Sequence, residues 1–596
     1  MHTIKSGNIM ALIDEDGFMH GKKQGLYFMD TKFVGKAIPE ISTAPTFLGI
    51  KEKNNDSVSF WFMSKVRPND IEESVLYILR YSVDGENLKL NLDFFNYSNA
   101  PIDFVISFVI DYTFNDIFEI RGNRYPKKRF YVNDFVDGQR AVYETEEFKC
   151  VLDLKGKTSE KFHLGSHEGK KMELVFTPRV VFKKKTVGTE VFGNLSHERP
   201  HLEVPCVSGR IGKLLASSTK DLEMLLLDTK YGVFPAAGLP WFSTIFGRDS
   251  LIFTIQAMEV YPEIARSIFR ILAATQSKIS DDFTDAEPGK IIHEIRVDEM
   301  SLSEEIPFKA YYGSIDATPL YLMAMRRYSK LFGRGIYEEL SESIGLAANY
   351  IEKTVNERGY LSYSSKSGKG LSNQGWKDSF NSSVFKNGEK AKPPIALVEV
   401  QGYLYEAYLM LSEFYKGKRS EEYLERARKL KKNFNEDFWM KDEKFFALAI
   451  DGNGKQVNSV TSNPGHCLMT GIIDDERVKF VVDRLLKSDM FTGWGVRTMA
   501  SSMGAYSPIS YHNGTVWPHD NSILMLGAFE RGFVAEAKKL AFAMLDAAEY
   551  FGWRLPELFG GNPRSDGSII PYPLACSPQL WSIGAGFVIT KILRRD

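Results

Sequence analysis

The sequence has little of what marks redox, metal-binding or membrane-spanning proteins. Its 596 residues include only four cysteines, none of which forms a C-x-x-C pair: Cys150, Cys206, Cys467 and Cys576. No zinc or redox motif is therefore expected, and a reduced compartment is the simplest interpretation. No stretch of the sequence approaches about 18 consecutive apolar residues, so we predict no membrane span.

Net charge is also nearly absent from the chain. Lysine and arginine total 75 and aspartate and glutamate total 76, which gives a formal charge of −1. This balance favours neither nucleic acid nor an anionic membrane as a partner. The N-terminus turns acidic at Asp14–Asp16 before any hydrophobic run of signal-peptide length, so we expect a cytoplasmic protein. The composition leaves open whether the chain forms a homo-oligomer.

What is present is typical of a large globular protein. Hydrophobic residues make up 43% and charged residues 25% of the sequence. A chain of this length is expected to form two or three domains. The aromatic content of 13% suits carbohydrate-binding surfaces and large cores alike.

The N-terminal part of the chain has a two-residue hydrophobic period. Strand-like runs at 57–64, 75–83 and 88–95 are separated by turn signals, such as Asp84-Gly85. Repeated short strands of this kind predict an antiparallel β-sandwich, which we assign to residues 1–190. Residues 191–208 are predicted to be a linker.

From residue 209 to residue 596 the period becomes helical. Eleven segments have apolar residues at steps of three and four, and we expect about a dozen helices: 211–227, 250–260, 262–277, 316–332, 336–354, 395–416, 419–436, 474–488, 519–531, 533–550 and 577–593. Long, glycine- and aromatic-rich connections separate them, and such connections usually belong to a functional face. A mainly α-helical (α/α)6 barrel with these connections at one mouth fits the pattern best.

An acidic residue stands close to a tryptophan in the segment Asn373–Ser379. Trp376 offers an aromatic face for the apolar side of a sugar, and Asp378 follows two positions later. An indole that excludes water raises the pKa of a nearby carboxyl, which keeps a proton available for a leaving oxygen. Tryptophan and aspartate also meet in ordinary loops, which is the alternative interpretation.

A second polar segment precedes the helix near residue 250. Arg248 and Asp249 form a charged donor and acceptor pair that matches two neighbouring sugar hydroxyls, with Trp241 and Phe246 close by in the sequence. The alternative is that Asp249 or Ser250 only caps the helix.

Three further segments carry polar residues that suit hydroxyl binding. Glu294 has a salt bridge as its alternative role, and Asp316 precedes a helix that it could cap. Glu399 and Gln401 fall inside a helix that is otherwise apolar, where polar groups need partners, and a ligand is one such partner.

Two histidines occur in the segment 511–521, close to Trp517. No H-E-x-x-H pattern or carboxylate arrangement accompanies His512 and His519, so we expect no metal. Binding of hydroxyls by neutral histidine and a purely structural role are both compatible with the sequence.

Glu557 stands among apolar residues and glycines near the end of the helical part. A lone glutamate in such a loop is usually a surface residue, but it would also serve as a second carboxylate. Hydrolysis of a glycoside needs one protonated carboxyl and a second carboxylate opposite it. If the second activates water, the two stand roughly 6.5–9.5 Å apart and the configuration inverts; a closer pair permits a covalent intermediate.

Eight motifs of the helical part, in this order, resemble those of the amylo-α-1,6-glucosidase (glycogen-debranching-like) glycoside hydrolases of prokaryotic type. They are PWFSTIFGRDS, YYGSIDATP, NQGWKDS, PIALVEVQGY, SNPGH, YHNGTVWPHDN, PELFGG and YPLACSPQLW. The segment from Asp16 to Phe33 resembles the β-rich domain that precedes the barrel in this family. The resemblance implies an (α/α)6 barrel, an inverting mechanism and α-glucosidic or closely related substrates.

The resemblance also implies roles for individual residues. Asp378 matches the general acid, Glu557 the general base, and Arg248 with Asp249 the pair that holds the non-reducing sugar. The predicted substrate-binding set is completed by Trp241, Phe246, Glu294, Asp316, Trp376, Lys377, Gln401, His512, Trp517 and His519. The chain has no room for the TIM-barrel transferase domain of eukaryotic debranching enzymes, so a complete debranching activity is not expected.

We therefore predict an inverting, exo-acting glycosidase that needs no cofactor and releases glucose from α-1,6-linked or related oligosaccharides or small glycosides. Cleavage of a mannoside, a rhamnoside or trehalose is the main alternative. A phosphorolytic (α/α)6 enzyme and a carbohydrate-binding protein without turnover are further alternatives.

Overall fold

The computed structural model describes residues 1–67, 70–122, 139–192 and 202–594. They divide into two compact units: the first comprises Met1–Ser196, Met224–Lys230 and Arg296–Lys309, and the second His197–Glu223, Tyr231–Ile295 and Ala310–Asp596. Residues 193–201 of the predicted linker lie outside the described ranges.

The first unit contains two antiparallel sheets. Their strands are β1 His2–Ser6, β2 Ile9–Ile13, β3 Met19–His20, β4 Gly25–Phe28, β5 Thr31–Ile41, β6 Thr46–Lys53, β7 Ser57–Ser64, β8 Val75–Asp84, β9 Asn87–Asn96, β10 Ile102–Asp116, β11 Arg140–Glu144, β12 Phe148–Lys155, β13 Ser159–Leu164 and β14 Gly169–Phe182. One sheet has the order β1-β2-β4-β5-β10-β13, with β3 paired to β5, and the other has the order β11-β12-β14-β9-β8-β7-β6.

Alternating side chains of both sheets form one hydrophobic core. In β9, for example, Leu88, Leu90, Leu92 and Phe94 are buried in it. Successive side chains of a strand point to opposite faces, so a two-residue period buries one face of each sheet. The predicted strands at 57–64, 75–83 and 88–95 are confirmed as β7, β8 and β9.

Two segments beyond the boundary predicted at residue 209, Met224–Lys230 and Arg296–Lys309, group with the first unit. Arg296–Lys309 belongs to the first unit, although it follows the first helices of the helical part. Arg296 donates from Nη1 to Asp30 Oδ1 at 2.9 Å, and both side chains are buried. The amide of Met300 donates to Asp116 at 3.0 Å. Buried polar groups must find partners, and the partners of Asp30 and Asp116 lie 266 and 184 residues further along the sequence.

The described residues form sixteen α-helices: α1 Ile117–Ile120, α2 Val187–Val191, α3 Gly209–Leu225, α4 Gly247–Ala257, α5 Pro262–Ala274, α6 Glu299–Leu302, α7 Ala317–Phe332, α8 Gly335–Glu339, α9 Ser341–Thr354, α10 Val398–Phe414, α11 Lys418–Asp437, α12 Asn463–His466, α13 Asp475–Leu485, α14 Pro518–Glu530, α15 Val534–Tyr550 and α16 Leu580–Arg594. Short strands accompany them: β15 Leu226–Thr229, β16 Gly232–Pro235, β17 Ile245–Phe246, β18 Glu294–Ile295, β19 Ala396–Leu397, β20 Trp439–Met440, β21 Phe445–Phe446, β22 Ala449–Ile450 and β23 Gln456–Val457.

All eleven predicted helical segments contain a helix. The segment 336–354 is divided into α8 and α9, and the short helix α12 was not predicted. A helix of four residues is too short to show a helical period. Within the described ranges, no helix is both long and apolar enough to cross a membrane.

Six helices of the second unit contact one another in a closed order. Helix α4 packs against α7, α7 against α10, α10 against α12, α12 against α14, α14 against α16, and α16 against α4. Helices α5, α9, α11 and α13 each pack against one of them, and α15 packs against both α14 and α16. Every residue of α4 is buried, whereas α11 is polar on one side, as expected for inner and outer helices.

Each helix of the closed order begins at or beside one of the sequence motifs. The FGRDS motif opens α4, SIDATP leads into α7 and VEVQGY opens α10. The SNPGH motif contains α12, WPHDN opens α14 and SPQLW leads into α16. The polar residues of these motifs therefore meet where the six helices start.

Candidate active site

The carboxyl of Asp378 lies beside a buried guanidinium. Arg248 Nη1 is 3.6 Å from Asp378 Oδ2, and 30% of the Asp378 side chain is exposed. Burial raises the pKa of the Asp378 carboxyl to about 6, and Arg248 opposes this shift. The negative charges of Glu294 and Asp316 add to the rise in the pKa of Asp378. A carboxyl that is partly accessible and holds its proton up to about pH 6 is suited to act as a general acid.

Arg248 is itself held in place by two neighbours. Its Nε donates to Asp316 Oδ2 at 2.7 Å, and its Nη2 lies 3.4 Å from the carbonyl oxygen of Gln374. Ser314 Oγ donates to the other oxygen of Asp316 at 2.6 Å. Asp316 is the N-cap residue of α7, as the capping alternative expects, but its side chain makes no capping hydrogen bond. Asp316 instead orients Arg248 towards the carboxyl of Asp378.

Asp249 is buried and faces the same site. The N-cap residue of α4 is Phe246, so Asp249 does not cap this helix. Burial raises the pKa of Asp249 to about 8, an effect that Arg248 opposes and the charges of Asp378 and Glu557 increase. The carboxyl is therefore neutral at neutral pH and offers both a donor and an acceptor to a sugar hydroxyl.

Glu557 is buried, with 2% of its surface exposed, so its interpretation as a surface residue is wrong. Tyr511 donates its hydroxyl to Oε1 at 2.6 Å, and the amide of Cys576 donates to Oε2 at 2.9 Å. Each oxygen thus accepts a hydrogen bond, which fixes the orientation of the carboxylate.

Asp378 and Glu557 belong to one site. Both carboxylates raise the pKa of Asp249, and both raise the pKa of the Tyr511 hydroxyl, for which burial is the largest cause. Because such effects need proximity, Asp249 and Tyr511 lie close to both acids. The structure therefore brings together two acidic residues that are far apart in the sequence.

The ring of Trp376 is enclosed by other rings. It stacks on His466 at 5.7 Å with an interplanar angle of 9°, and His519 approaches its face edge-on at 4.9 Å. Trp517 and His512 make further edge contacts with it, each at 5.7 Å. This packing holds the segment that leads to Asp378. The contact of Trp376 with a sugar stays a prediction.

The two predicted histidines are buried, and both are neutral. Burial lowers the pKa of His512 well below its usual value, and Lys377 and Arg248 lower it further. Burial also lowers the pKa of His519. His519 stacks on Trp581 at 3.8 Å, and neither of its ring nitrogens has a hydrogen-bond partner within the described part of the chain. Buried polar atoms of this kind need partners, and sugar hydroxyls are suitable ones.

Two predicted sugar-binding residues make hydrogen bonds to the main chain, and their contact with a sugar stays a prediction. The amide of Gln401 donates to the carbonyls of Leu361 and Leu397 at 2.9 Å, and its oxygen accepts from Leu361 N at 3.0 Å. Lys377 is buried and donates to Thr498 O at 2.6 Å. Both side chains therefore find their partners inside the protein.

The remaining predicted residues, Trp241, Phe246 and Glu294, are buried in the second unit. Phe246 pairs with Glu294 across the strands β17 and β18, and its ring packs against His293 at 5.6 Å. The charge of Glu294 acts on Asp378, which places it near the site. Among the residues described by the structure, no group of three or more His, Cys, Asp or Glu side chains could hold a metal ion.

The sequence reasoning missed several residues of the site. Tyr511 contacts Glu557, and Gln579 contacts Asp249. His466 and Asp520 form a buried pair at 2.7 Å, and the ring of His466 stacks on Trp376. All four residues lie within the sequence motifs that resemble the glycoside hydrolases, and this position is the sequence signal that could have identified them.

A pair of acidic side chains in one site is the arrangement that glycoside hydrolysis requires. Residues 4–151 match the N-terminal domain of (some) glycogen debranching enzymes. Residues 372–553 match the mannosylglycerate hydrolase MGH1-like glycoside hydrolase domain. The protein is therefore a glycosidase, and it is similar to these two domain models over separate parts of its sequence. The expected resemblance to glycogen-debranching-like glycoside hydrolases is confirmed.

Comparison with solved structures finds proteins of low sequence identity. An uncharacterized conserved protein from Thermus thermophilus aligns over 63% of this chain and 100% of its own, with 14% identity and a TM-score of 0.48. A GH63 mannosylglycerate hydrolase from the same organism, in complex with Tris, aligns over 63% of this chain and 98% of its own, with 12% identity and a TM-score of 0.46. No curated protein matches the sequence.

Proposed function

We propose that this protein is an inverting, exo-acting glycoside hydrolase in which Asp378 is the general acid and Glu557 the general base. We further propose that the six helices in closed order form the inner ring of an (α/α)6 barrel. The observation that carries the proposal is the shared environment of the two acids, since both act on Asp249 and Tyr511.

In this mechanism the two acids have different tasks. Asp378 gives its proton to the glycosidic oxygen as the bond to the anomeric carbon breaks. Glu557 removes a proton from a water molecule, whose oxygen attacks the anomeric carbon from the opposite face. The product therefore has the inverted configuration, provided that the carboxyl groups leave room for the water, at roughly 6.5–9.5 Å.

The sugar would be held by the buried polar groups around Asp378. Arg248 and Asp249 suit two adjacent hydroxyls, because one donates and the other both donates and accepts. His519 has two ring nitrogens that lack partners within the described ranges, and it lies against Trp376 and Trp581. These contacts would fix the ring before the proton is transferred.

The family match favours a mannoside over the predicted glucoside. The matched domain, named for mannosylglycerate hydrolase, covers residues 372–553 and thus contains Asp378, His512 and His519. We propose a small α-linked mannoside as the first substrate class. An α-glucoside is the second, because the N-terminal domain matches that of some glycogen debranching enzymes.

The test is a screen of aryl α-glycosides, mannobioses and isomaltose, with released monosaccharides identified by chromatography and their anomers by NMR. We expect mannose to be released with inverted configuration. Absence of hydrolysis across the screen, or product of retained configuration, would contradict the proposal. Turnover that requires phosphate would instead indicate the phosphorolytic alternative.

Two variants test the assigned roles. Asp378→Asn and Glu557→Gln should each lower kcat by roughly 10²–10⁴-fold, the usual contribution of a positioned acid or base. Asp442→Asn, in an exposed loop, is the matched control and should be unaffected. Near-normal turnover in either site variant would remove its assigned role.

A further inference from the structure

Lys377 stands next to the proposed acid in the sequence, and its side chain is buried. Only 5% of its surface is exposed. Burial lowers the pKa of Lys377 to about 8, and the negative charges of Asp520 and Glu399 oppose that shift. Its ammonium group donates to the carbonyl oxygen of Thr498 at 2.6 Å. The side chain therefore connects the Asp378 loop with a segment more than a hundred residues away.

The segment at Thr498 is joined to its neighbour by several hydrogen bonds. The amide of Thr498 donates to Thr515 O at 2.9 Å, and its Oγ1 accepts from the amide of Gly514 at 2.8 Å. The amide of Ser462 also donates to Thr498 O, at 3.2 Å. Lys377 thus binds a carbonyl that is already fixed in position.

A first series of main-chain contacts links the Thr498 segment to the segment of the proposed base, Glu557. Val516 pairs with Arg497 on one side and with Phe559 on the other, two residues after Glu557. The amide of Val516 donates to Phe559 O at 2.9 Å, and the amide of Phe559 donates to Val516 O at 3.0 Å. Three segments are therefore held side by side, and the last of them carries Glu557.

A second connection runs through the tyrosine that contacts Glu557. Thr515 Oγ1 and Trp517 Nε1 both donate to Tyr511 O, at 2.7 Å and 2.9 Å. The hydroxyl of Tyr511 then donates to Glu557 at 2.6 Å. Both connections run through the segment 515–517, which pairs with the segment 497–498 to which Lys377 is bound.

We propose that Lys377 is a positioning residue that sets the separation between Asp378 and Glu557 by anchoring the loop of the acid to the segments that hold the base. This inference rests on the proposed function. In an inverting enzyme that separation decides whether a water molecule fits and is aligned. Misplacement of a reacting group by about 1 Å costs up to roughly 10²-fold in rate.

Two buried acids add to the need for a cation at this position. Glu399 accepts from Asn463 Nδ2 at 3.0 Å, and Asp520 contacts His466 Nε2 at 2.7 Å. The second oxygen of each carboxylate has no hydrogen-bond partner in the part of the chain that the structure describes. Loss of the Lys377 charge would therefore destabilise the site as well as release the loop.

The experiment compares Lys377→Met with Lys377→Arg and with the control Lys392→Met, which removes an exposed lysine from a nearby part of the chain. Kinetic constants are measured on the best substrate among aryl α-mannosides, aryl α-glucosides, mannobioses and isomaltose, well below each thermal midpoint. The double variant Lys377→Met/Glu399→Gln removes the anchor together with one buried negative charge, in case Lys377→Met does not fold.

We expect Lys377→Met and the double variant to lower kcat by roughly 10–100-fold with little change in KM. Lys377→Arg should recover part of this loss, because a guanidinium can still donate to Thr498 O. An unchanged kcat in the variants that fold, a loss confined to KM, or no recovery in Lys377→Arg would overturn the inference. An inactive wild-type enzyme would instead overturn the proposed function, and the positioning role with it.

Discussion

The guanidinium of Arg248 lies 3.6 Å from the carboxyl of Asp378 and is anchored at 2.7 Å by Asp316. It favours the charged form of Asp378, whereas burial favours the protonated form and is the larger influence. The pKa of Asp378 therefore rises only to about 6. The availability of the proton therefore depends on burial and on the neighbouring charges of Arg248, Glu294 and Asp316.

The first prediction concerns the pH dependence of the wild-type enzyme. Asp378 must carry a proton to act as the acid, and its pKa is raised to about 6. Activity should therefore be retained below this pH and be lost as the pH rises through it. The measurement is kcat/KM against pH, which reports groups of the free enzyme. A basic limb near pH 4, or none below pH 8, would contradict the assignment of Asp378.

The second prediction is that Arg248→Met moves this basic limb to higher pH. Without the guanidinium, the opposition to burial is lost and the pKa of Asp378 rises further. The variant should also lose about 3–5 kcal/mol of stability, because Asp316 is left as a buried charge without its cation. A basic limb that stays in place or moves to lower pH would refute the role of Arg248.

The matched control for Arg248→Met is Arg358→Met. Arg358 pairs with Asp437 at the surface, where more than half of its side chain is exposed. Exposed pairs contribute about 0–1 kcal/mol, so this variant should keep both its stability and its pH profile.

The third prediction is that Tyr511→Phe slows catalysis without weakening substrate binding. The variant removes the 2.6 Å hydrogen bond from the Tyr511 hydroxyl to Oε1 of Glu557. Hydrogen bonds to charged groups contribute about 1.5–3 kcal/mol, which corresponds to roughly a 10–100-fold fall in kcat. Tyr506→Phe is the control, since the Tyr506 hydroxyl makes only a 3.4 Å contact with Gly561 O. Equal effects in the two variants would argue against a role for Tyr511 in orienting the base.

The fourth prediction concerns the segment Arg296–Lys309, which belongs to the first unit. Arg296→Met should destabilise this unit by about 3–5 kcal/mol, because Asp30 is left as a buried carboxylate without its cation. Urea unfolding followed by circular dichroism at strand wavelengths is the measurement. Arg140→Met breaks an exposed pair with Asp153 and should have little effect. If both variants unfold at the wild-type urea concentration, the buried pair does not stabilise the unit.

The sequence reasoning was most successful where the signal is local. The two-residue period located β7, β8 and β9, and the helical period located eleven helical segments. It missed α12, whose four residues carry no period. The catalytic roles of Asp378 and Glu557 stay predictions, although the structure places both acids in one buried site.

The sequence was least informative about the hydrogen-bond partners of buried polar residues. Gln401 and Lys377 were expected to bind sugar hydroxyls, but the Gln401 amide and one donor of Lys377 bind main-chain carbonyls. Asp316 was open to a capping role, whereas its carboxylate binds Arg248. A sequence shows that a buried polar group needs a partner, but it does not show which group comes within hydrogen-bonding distance.

The sequence by itself determined the kinds of element and their order, and it showed which motifs lie at the starts of the helices, because these features depend on neighbours a few residues apart. Only the tertiary structure decided that Arg248 balances the pKa of Asp378, that Tyr511 orients Glu557 and that Lys377 joins the two sides of the site. Hydrogen bonds and charge effects act over a few ångströms, and folding alone brings together groups that stand tens to hundreds of residues apart.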